Sequence, residues 1–443
     1  MPERLLDRLA DATGVSTDTR TVRRGELFFA LRGPSFDGNR YAAEALARGA
    51  SYAVVDDPAV ATDARYVLVD DALAALQTLA RDYRRTWTIP VLALTGSNGK
   101  TTTKELIAAA LATTYRVHAT AGNLNNHIGV PLTLLRTPRD TEIAVVEMGA
   151  NHRREIAALS AIAEPTHGLI TNIGRAHLEG FGGIEGVRIG KGELFDYLAS
   201  SGGRAFVNVD DAETSALAAR VRSRLPYGSA AAPPSEPLGD QVVTGCLEAA
   251  FPTITYALAT RHGSVGGLTT ALPGDYNYRN LLAAAAVATY FKVSLEAIAE
   301  ALAAYRPSDS RSEVRTLDGS PVLFDAYNAN PDSLAAALGW LASRPEPRKV
   351  AVLGELREQG AYAKTAHAEA LRGALAIPGV EVAVFGEAYD EVELAEGAEA
   401  RLGRFSEIAP LAAWLARRTG DADAVVLVKG SRGNRLERLL EGA

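Results

Sequence analysis

The sequence predicts an α/β fold of three domains, the middle one doubly wound around a parallel sheet. Three observations carry this. The chain has 443 residues, too many for one ordinary hydrophobic core. Short apolar runs alternate with helical patterns from end to end, the signature of strand–helix–strand units. One apolar run, Val91-Leu92-Ala93-Leu94, enters a glycine-flanked turn and then a helix, the arrangement that cradles phosphates.

The elements follow in order. Residues 1–86 form a small α/β domain, with β-like runs at 26–31, 52–55 and 66–69 and helical patterns at 41–48 and 72–84. Arg84-Arg85-Thr86-Trp87 then leads into the phosphate-loop strand, so a boundary falls there. Residues 87–311 form the middle domain, with strands expected at 91–95, 115–118, 143–148, 167–173 and 204–209. The Ala/Pro/Ser/Gly stretch 229–240 reads as a surface loop, and the alternating segments to about Leu272 read as a small antiparallel sheet. Helices are expected at 281–290 and 295–305. Residues 312–443 form a Rossmann-like unit with strands at 322–325, 349–353, 381–385 and 424–428. No repeat of solenoid length is present.

Bulk properties narrow the function classes. The chain is 47% hydrophobic and 22% charged, the balance of a soluble globular protein. A net charge of −7 argues against a nucleic-acid partner held by a broad basic field. The longest apolar stretch, Leu281–Phe291, is too short and alanine-rich for membrane insertion. The first nine residues are mixed in charge and read as a short amphipathic helix, not a leader. The single cysteine, Cys246, allows no intramolecular disulfide and fits a reducing compartment. A monomer in the cytoplasm is the expectation.

Chemistry concentrates at strand tips, where ligands bind in such sheets. Thr95-Gly96-Ser97-Asn98-Gly99-Lys100-Thr101-Thr102 is a variant P-loop, with Leu94 where the standard motif has its first glycine. Turn amides and the helix N-terminus face phosphates, Lys100 reaches the outer ones, and the Thr101 hydroxyl joins a magnesium shell. A bare Gly-Lys-Thr arises by chance, but the strand before it and a helix over 103–111 argue for ATP. Glu147 ends the strand Ile143-Ala-Val-Val and can complete the Mg2+ site, although a solvated strand-end carboxylate would look the same. His177 also follows a strand, and a surface histidine explains it equally well. Lys191 is placed near the start of a helix running to Leu198 and is most simply a solvated lysine beside Glu193. Asn123, Asn125 and Asn126 form a polar loop suited to a phosphate or a neutral polar ligand, or simply a turn. In the third domain, Asp325, Asn328 and Asn330 follow one strand and Lys429 and Ser431 another, as ligand groups or as turn and cap chemistry.

Taken in order, these pieces resemble the Mur ligase family over nearly the whole chain. The markers are Thr17-Asp18-Thr19-Arg20, Phe36-Asp37-Gly38, the P-loop, Gly122-Asn-Leu-Asn-Asn126, Glu147-Met-Gly-Ala-Asn151, Asn172-Ile-Gly-x-Ala-His177, Lys191-Gly-Glu193, Asn277 with Asn280, Arg311, Tyr327-Asn-Ala-Asn-Pro331 and Lys429-Gly-Ser431. Tyr327-Asn-Ala-Asn-Pro resembles the dipeptide-adding members. The Asp-Asn-Pro-Arg usual in the enzymes that add the third residue is absent. The resemblance implies ATP-driven joining of D-alanyl-D-alanine to a UDP-N-acetylmuramoyl-tripeptide through an acyl phosphate, in cytoplasmic peptidoglycan precursor synthesis. It implies catalytic roles for Lys100, His177, Lys191 and Arg311, with Lys191 carbamylated. Thr101, Glu147, His177 and the modified Lys191 would serve magnesium. The Gly96–Thr102 loop with Asn277, Asn280, Arg311 and Asp325 would hold ATP. Thr17–Arg20 and Phe36–Gly38 would hold the UDP end, and Asn123, Asn125, Asn126, Asn328, Asn330, Lys429 and Ser431 the rest of the substrates. Departures from the family pattern are Asn39, Ser310, Phe324, Ala326 and the run Leu356-Arg-Glu-Gln-Gly360. The nearest rivals are another amide ligase of this type, a folylpolyglutamate-type ligase, and a P-loop switch ATPase that needs no acceptor.

Overall fold

The computed structural model describes residues 2–251, 253–307, 312–395, 397–420 and 423–439. Arg311 and Ser310 lie outside them.

A four-stranded parallel sheet comes first, in the order Val15–Ser16, Leu27–Phe29, Tyr52–Val55, Tyr66–Leu68. The helix Ala72–Arg85 packs Leu76, Leu79 and Ala80 inward, and the Asp71 carboxylate caps its start by accepting from Ala74 N at 2.7 Å. Its last turn carries Arg84, whose buried guanidinium donates to the carbonyls of Ala163 and Glu164 at 3.0 and 2.9 Å. Those carbonyls end the helix Glu155–Ala163 of the middle domain, so one arginine satisfies orphan helix-end acceptors and joins the two domains.

The middle sheet has nine strands, from one edge Gly263–Thr269, Thr255–Thr260, Val243–Ala249, Ser223–Ser229, Arg204–Asn208, His167–Ile170, Val91–Thr95, Ile143–Glu147 and Val117–Ala119. The strands expected near 91, 115, 143, 167 and 204 are all present, the second starting two residues later. Along Val91–Thr95 alternate residues serve opposite layers. Val91 and Ala93 join a core with the helices Gly129–Leu135, Glu155–Ala163 and Ile184–Ser201, while Leu92 and Leu94 join one with Lys100–Ala112 and Tyr276–Tyr290. That two-sided burial explains the unbroken apolar run.

The expected small antiparallel sheet is present as the continuation of this one. Its first strand pairs in parallel with Ser223–Ser229, Tyr227 opposite Val243, and only the last two pairings are antiparallel. The sequence of 223–229 hides the connecting strand, because Pro226 and Gly228 read as turn residues.

The third sheet runs Glu313–Leu317, Ser320–Asp325, Ala424–Lys429, Arg348–Gly354, Val380–Phe385 and Leu402–Phe405, parallel apart from the first hairpin. The helices Pro331–Ser343 and Ala363–Leu375 cover one face and Ile408–Ala416 the other. Among the described residues no helix is long and apolar enough to cross a membrane.

Candidate active site

The P-loop helix begins at Lys100, three residues earlier than expected, because Gly99 adopts the left-handed conformation (φ 77°) and serves as its N-cap. A Cβ there would lie 2.6 Å from Asn280 Oδ1, and one on Gly96 would lie 2.0 Å from Thr171 Oγ1. Neither position tolerates a side chain. The loop is buttressed by the adjacent strand end. Ser97 N donates to Asn172 O (3.0 Å), Asn98 N to Asn172 Oδ1 (3.0 Å), and Ser97 Oγ to Gly174 O (2.9 Å). Lys100 Nζ folds back onto the carbonyls of Gly96 and Ser97 at 2.8 and 3.2 Å.

Thr101 and Glu147 meet as expected, Thr101 Oγ1 donating to Glu147 Oε1 at 3.1 Å. Asn125 Nδ2 donates to the same oxygen at 2.7 Å. Glu147 is buried, and its Oε2 has no hydrogen-bond partner. The nearest cation is buried Lys104, 3.9 Å away. An orphan carboxylate oxygen beside a threonine hydroxyl is the donor set of a magnesium ion completed by phosphates and water. Among the described residues no group of three or more His, Cys, Asp or Glu that could hold a metal ion is present.

Lys191 is not solvated. It lies in mid-helix, within Ile184–Ser201, with no exposed surface. Its Nζ donates to Ala150 O at 2.9 Å and sits 5.0 Å from the Phe181 ring centroid. Burial first, and then the charge of Lys100, push its pKa well below the ordinary lysine value, against the opposing pull of Glu155 and Glu193. Those carboxylates are engaged elsewhere. Glu193 accepts from Arg154 N and Ala157 N, and Glu155 from Asn151 N and His152 N. The amine is therefore biased toward its neutral, nucleophilic form.

His177, left-handed at φ 54°, contacts Glu358 of the third domain through Nδ1. The imidazole holds that carboxyl below the usual range. More of the third domain rests on the P-loop. Asn330 Nδ2 donates to Asn98 Oδ1 at 2.7 Å, and Arg175 binds Asp332 through Nε (2.8 Å) and backbone N (2.6 Å), reaching Glu369 with Nη1 (2.7 Å). Asp325 pairs with buried Lys429 at 2.5 Å, its other oxygen accepting from Ser312 N at 3.3 Å.

Several expected ligand residues have structural duties. Asn330 caps the helix Pro331–Ser343 in a reciprocal box with Ser333. Ser431 Oγ accepts from Arg357 N at 3.1 Å. Asn126 Oδ1 accepts from Ile128 N and Gly129 N. Asn277 and Asn280 are buried in a chain running from Thr103 Oγ1 through both amides to Pro273 O. A cleft of about 1270 Å³ joins the P-loop, Asn123, Asn125, Glu147, His177, Asn277, Asn280, Asp325, Asn328 and Lys429. Thr17–Arg20 and Phe36–Gly38 do not line it. There Asp18 pairs with Arg20 at 2.6 Å in solvent, and Asp37 Oδ1 accepts from Asn39 N and Nδ2. The sequence reading missed Lys104, Asn172, Arg175, Asp332 and Glu358. Asn172 stands in a family marker at a strand tip, and Arg175 and Glu358 lie inside runs compared with the family pattern, but none of them carries an assigned role there.

The fold and site define a class: a three-domain P-loop protein whose phosphate turn is roofed by its last domain. The chain belongs to the Mur ligase family. Residues 94–288 match the Mur ligase middle domain, 310–432 the family's glutamate ligase domain, and 11–84 the model described as the Mur ligase family catalytic domain. It is similar to the UDP-N-acetylmuramoyl-tripeptide–D-alanyl-D-alanine ligases of Bacillus subtilis (34% identical, 97% of this chain, 92% of the relative) and Escherichia coli (35%, 97% and 94%). Among solved structures it resembles MurF from Acinetobacter baumannii, with a TM-score of 0.86 at 29% identity over 100% and 98% of the two chains. MurF from Thermotoga maritima in complex with ADP gives 0.83 at 28% over 98% and 97%.

Proposed function

We propose that this chain is an ATP-dependent amide ligase joining D-alanyl-D-alanine to UDP-N-acetylmuramoyl-tripeptide, with ADP and phosphate as by-products, in the cytoplasm. One observation carries the chemistry. A phosphate turn and an orphan carboxylate oxygen line a cleft that the third domain closes, and a buried lysine biased toward neutrality sits behind its wall, bonded to the carbonyl of the cleft-lining Ala150. The near full-length similarity to ligases of that name supports the substrates.

A carboxylate is a poor acyl donor until one oxygen becomes a phosphate leaving group. Gly96–Thr102 orient the triphosphate, and Lys100, released from its own loop carbonyls, takes the charge on the outer phosphates. Thr101 and Glu147 would hold a first magnesium ion. His177, once free of Glu358, and Lys191 as its carbamate would hold a second. Magnesium supplies neutralisation of the charge that develops on the transferred phosphoryl and on the acyl oxygen. Carbamylation fits Lys191 because only a neutral amine adds to carbon dioxide. Asn277, Asn280 and Asp325 line the nucleotide end, and Arg311 is assigned there with them. Arg175, Asn98 and Asn330 hold the roof down, excluding water from the acyl phosphate. Residues 1–86, 87–311 and 312–443 would then bind the UDP end, run the phosphoryl chemistry and deliver the dipeptide.

The test is phosphate release from ATP with UDP-N-acetylmuramoyl-tripeptide, with and without the dipeptide, the product identified by mass. Release that requires the dipeptide and gives the pentapeptide is the expected result. Release indifferent to any acceptor would overturn the ligase reading in favour of a switch ATPase.

A further inference from the structure

Lys191 is walled off from the cleft it is meant to serve. Its side chain has no exposed surface, and its Nζ is bonded to the carbonyl of the cleft-lining Ala150. The Phe181 ring, only 3% exposed, covers the amine at 5.0 Å. Adding a carboxyl group at Nζ therefore requires a neighbour to move, because a close-packed interior gives a buried atom little free space.

Phe181 sits on a single turn built to be displaced as a unit. The helix Leu178–Phe181 is bounded by two left-handed residues, His177 (φ 54°) and Gly182 (φ 75°). Its ring lies on the helix that carries Lys191, where a Cβ on Gly190 would come 2.4 Å from Phe181 Cε1. Its backbone abuts the residue after Ala150, since a Cβ on Gly180 would come 2.3 Å from Asn151 O. One turn thus carries one neighbour of the amine and leans on the other.

The third domain grips this turn. His177 Nδ1 meets the Glu358 carboxylate, and Glu179 N donates to Glu358 O at 3.2 Å. Gly360 lies against the Glu179 side chain, and the Tyr362 hydroxyl faces Gly183. Glu358 adopts the left-handed conformation where it makes these contacts (φ 62°), one that a glutamate holds only where its surroundings impose it.

We infer that Phe181 is a positioning residue, admitting carbon dioxide to Lys191 when the third domain swings away and sealing the carbamate in when that domain docks. This rests on the carbamate reading of Lys191 above. In the step, the Nζ lone pair forms the N–C bond to carbon dioxide, a C=O electron pair moves onto oxygen, and an N–H proton leaves to water in the opened cleft. A carbamate reverts to amine and carbon dioxide when protonated, so a seal that closes with the roof preserves it through turnover.

The probe is carbon-13-labelled bicarbonate, the source of dissolved carbon dioxide, added to protein freed of that gas. NMR follows the carbamate carbon, and K191M supplies the blank. Uptake through an opened state scales with the population of that state. R175A cuts the ion pairs to Asp332 and Glu369 and should speed uptake about fivefold. F181A should speed it at least as much, and R175A added to F181A should speed it no further, because the seal is already gone. F181L, which keeps most of the buried volume, should fall between the parent and F181A and guards against a misfolded F181A. Equal rates in the parent, R175A and F181L would overturn the inference while leaving the carbamate standing, as would effects of R175A and F181A that multiply. A parent that forms no labelled carbamate would remove the carbamate and this inference together, while acceptor-dependent phosphate release would still decide the ligase reading.

Discussion

Replacing Lys191 by Met separates a functional lysine from a structural one, because the two roles move stability and turnover differently. The side chain is wholly buried and makes one hydrogen bond, to Ala150 O at 2.9 Å. Losing that bond costs about 1 kcal/mol. Against it stands the cost of removing an amine from water, which the depressed pKa records and which an apolar isostere of similar length abolishes. K191M should therefore unfold at the same denaturant concentration as the parent or a higher one. Turnover should fall by about 10²–10³-fold, because the second magnesium ion, which would neutralise the developing charge, would lose its carbamate ligand. The sign with pH follows from linkage. Between its folded pKa and about 10.4, unfolded Lys191 binds a proton that the folded chain does not. The stability it contributes therefore rises with pH by up to about 1.4 kcal/mol per unit and is lost as pH falls. In buffer freed of carbon dioxide, K191M should show a flatter stability–pH curve than the parent through that window. Urea unfolding and phosphate release measure both arms. Loss of several kcal/mol of stability together with activity would make Lys191 a packing residue, and unchanged turnover would end its role. Partial rescue of K191A by short carboxylates separates the carbamate from the bare amine.

Other outcomes are expected. E147Q should raise the magnesium concentration for half-maximal turnover by about tenfold or more, since a neutral amide replaces the carboxylate beside Thr101. An unchanged magnesium titration would place the ion elsewhere. R175A cuts partly exposed ion pairs to Asp332 and Glu369, about 1 kcal/mol of closure. Small-angle scattering should show a larger radius of gyration, with KM for ATP raised a few-fold and kcat little altered. A scattering profile identical to the parent's would mean the clasp is passive. His167, buried among Phe206, Tyr290 and Phe291, has its pKa lowered to about 4 by burial. The unfolded chain takes its proton first, so stability should drop by up to about 3 kcal/mol as pH falls from 6.5 to 4. H167Q should lose that part of the dependence, and an unaltered curve would refute it.

Part of this site was legible along the chain because strand, turn and helix are local. Val91–Thr95 followed by Gly96–Lys100 specifies a phosphate turn through apolar burial, positive φ and helix capping, all within ten residues. Glu147 at the tip of Ile143–Glu147 was legible for the same reason, since register in a doubly wound sheet puts neighbouring tips together. Lys191 was misplaced because a lysine in mid-helix carries no sign of burial. What packs on it is Phe181, on the preceding short helix, and the Ala150 carbonyl, 41 residues back along the chain. The strand Ser223–Ser229 escaped because pairing with its neighbours, not propensity, makes Leu225-Pro226-Tyr227-Gly228 extended.

By itself the sequence determined the three α/β units, the phosphate turn and the identity of the groups able to serve it, because these depend on periodicity and on contacts a few residues apart. Only the tertiary structure decided which of them are free to act. It left one oxygen of Glu147 without a partner, desolvated Lys191 and neutralised Lys429 with Asp325. It also occupied His177 with Glu358. Burial and pairing arise between residues far apart in the chain, and the charge state and availability of a group follow from those long-range contacts.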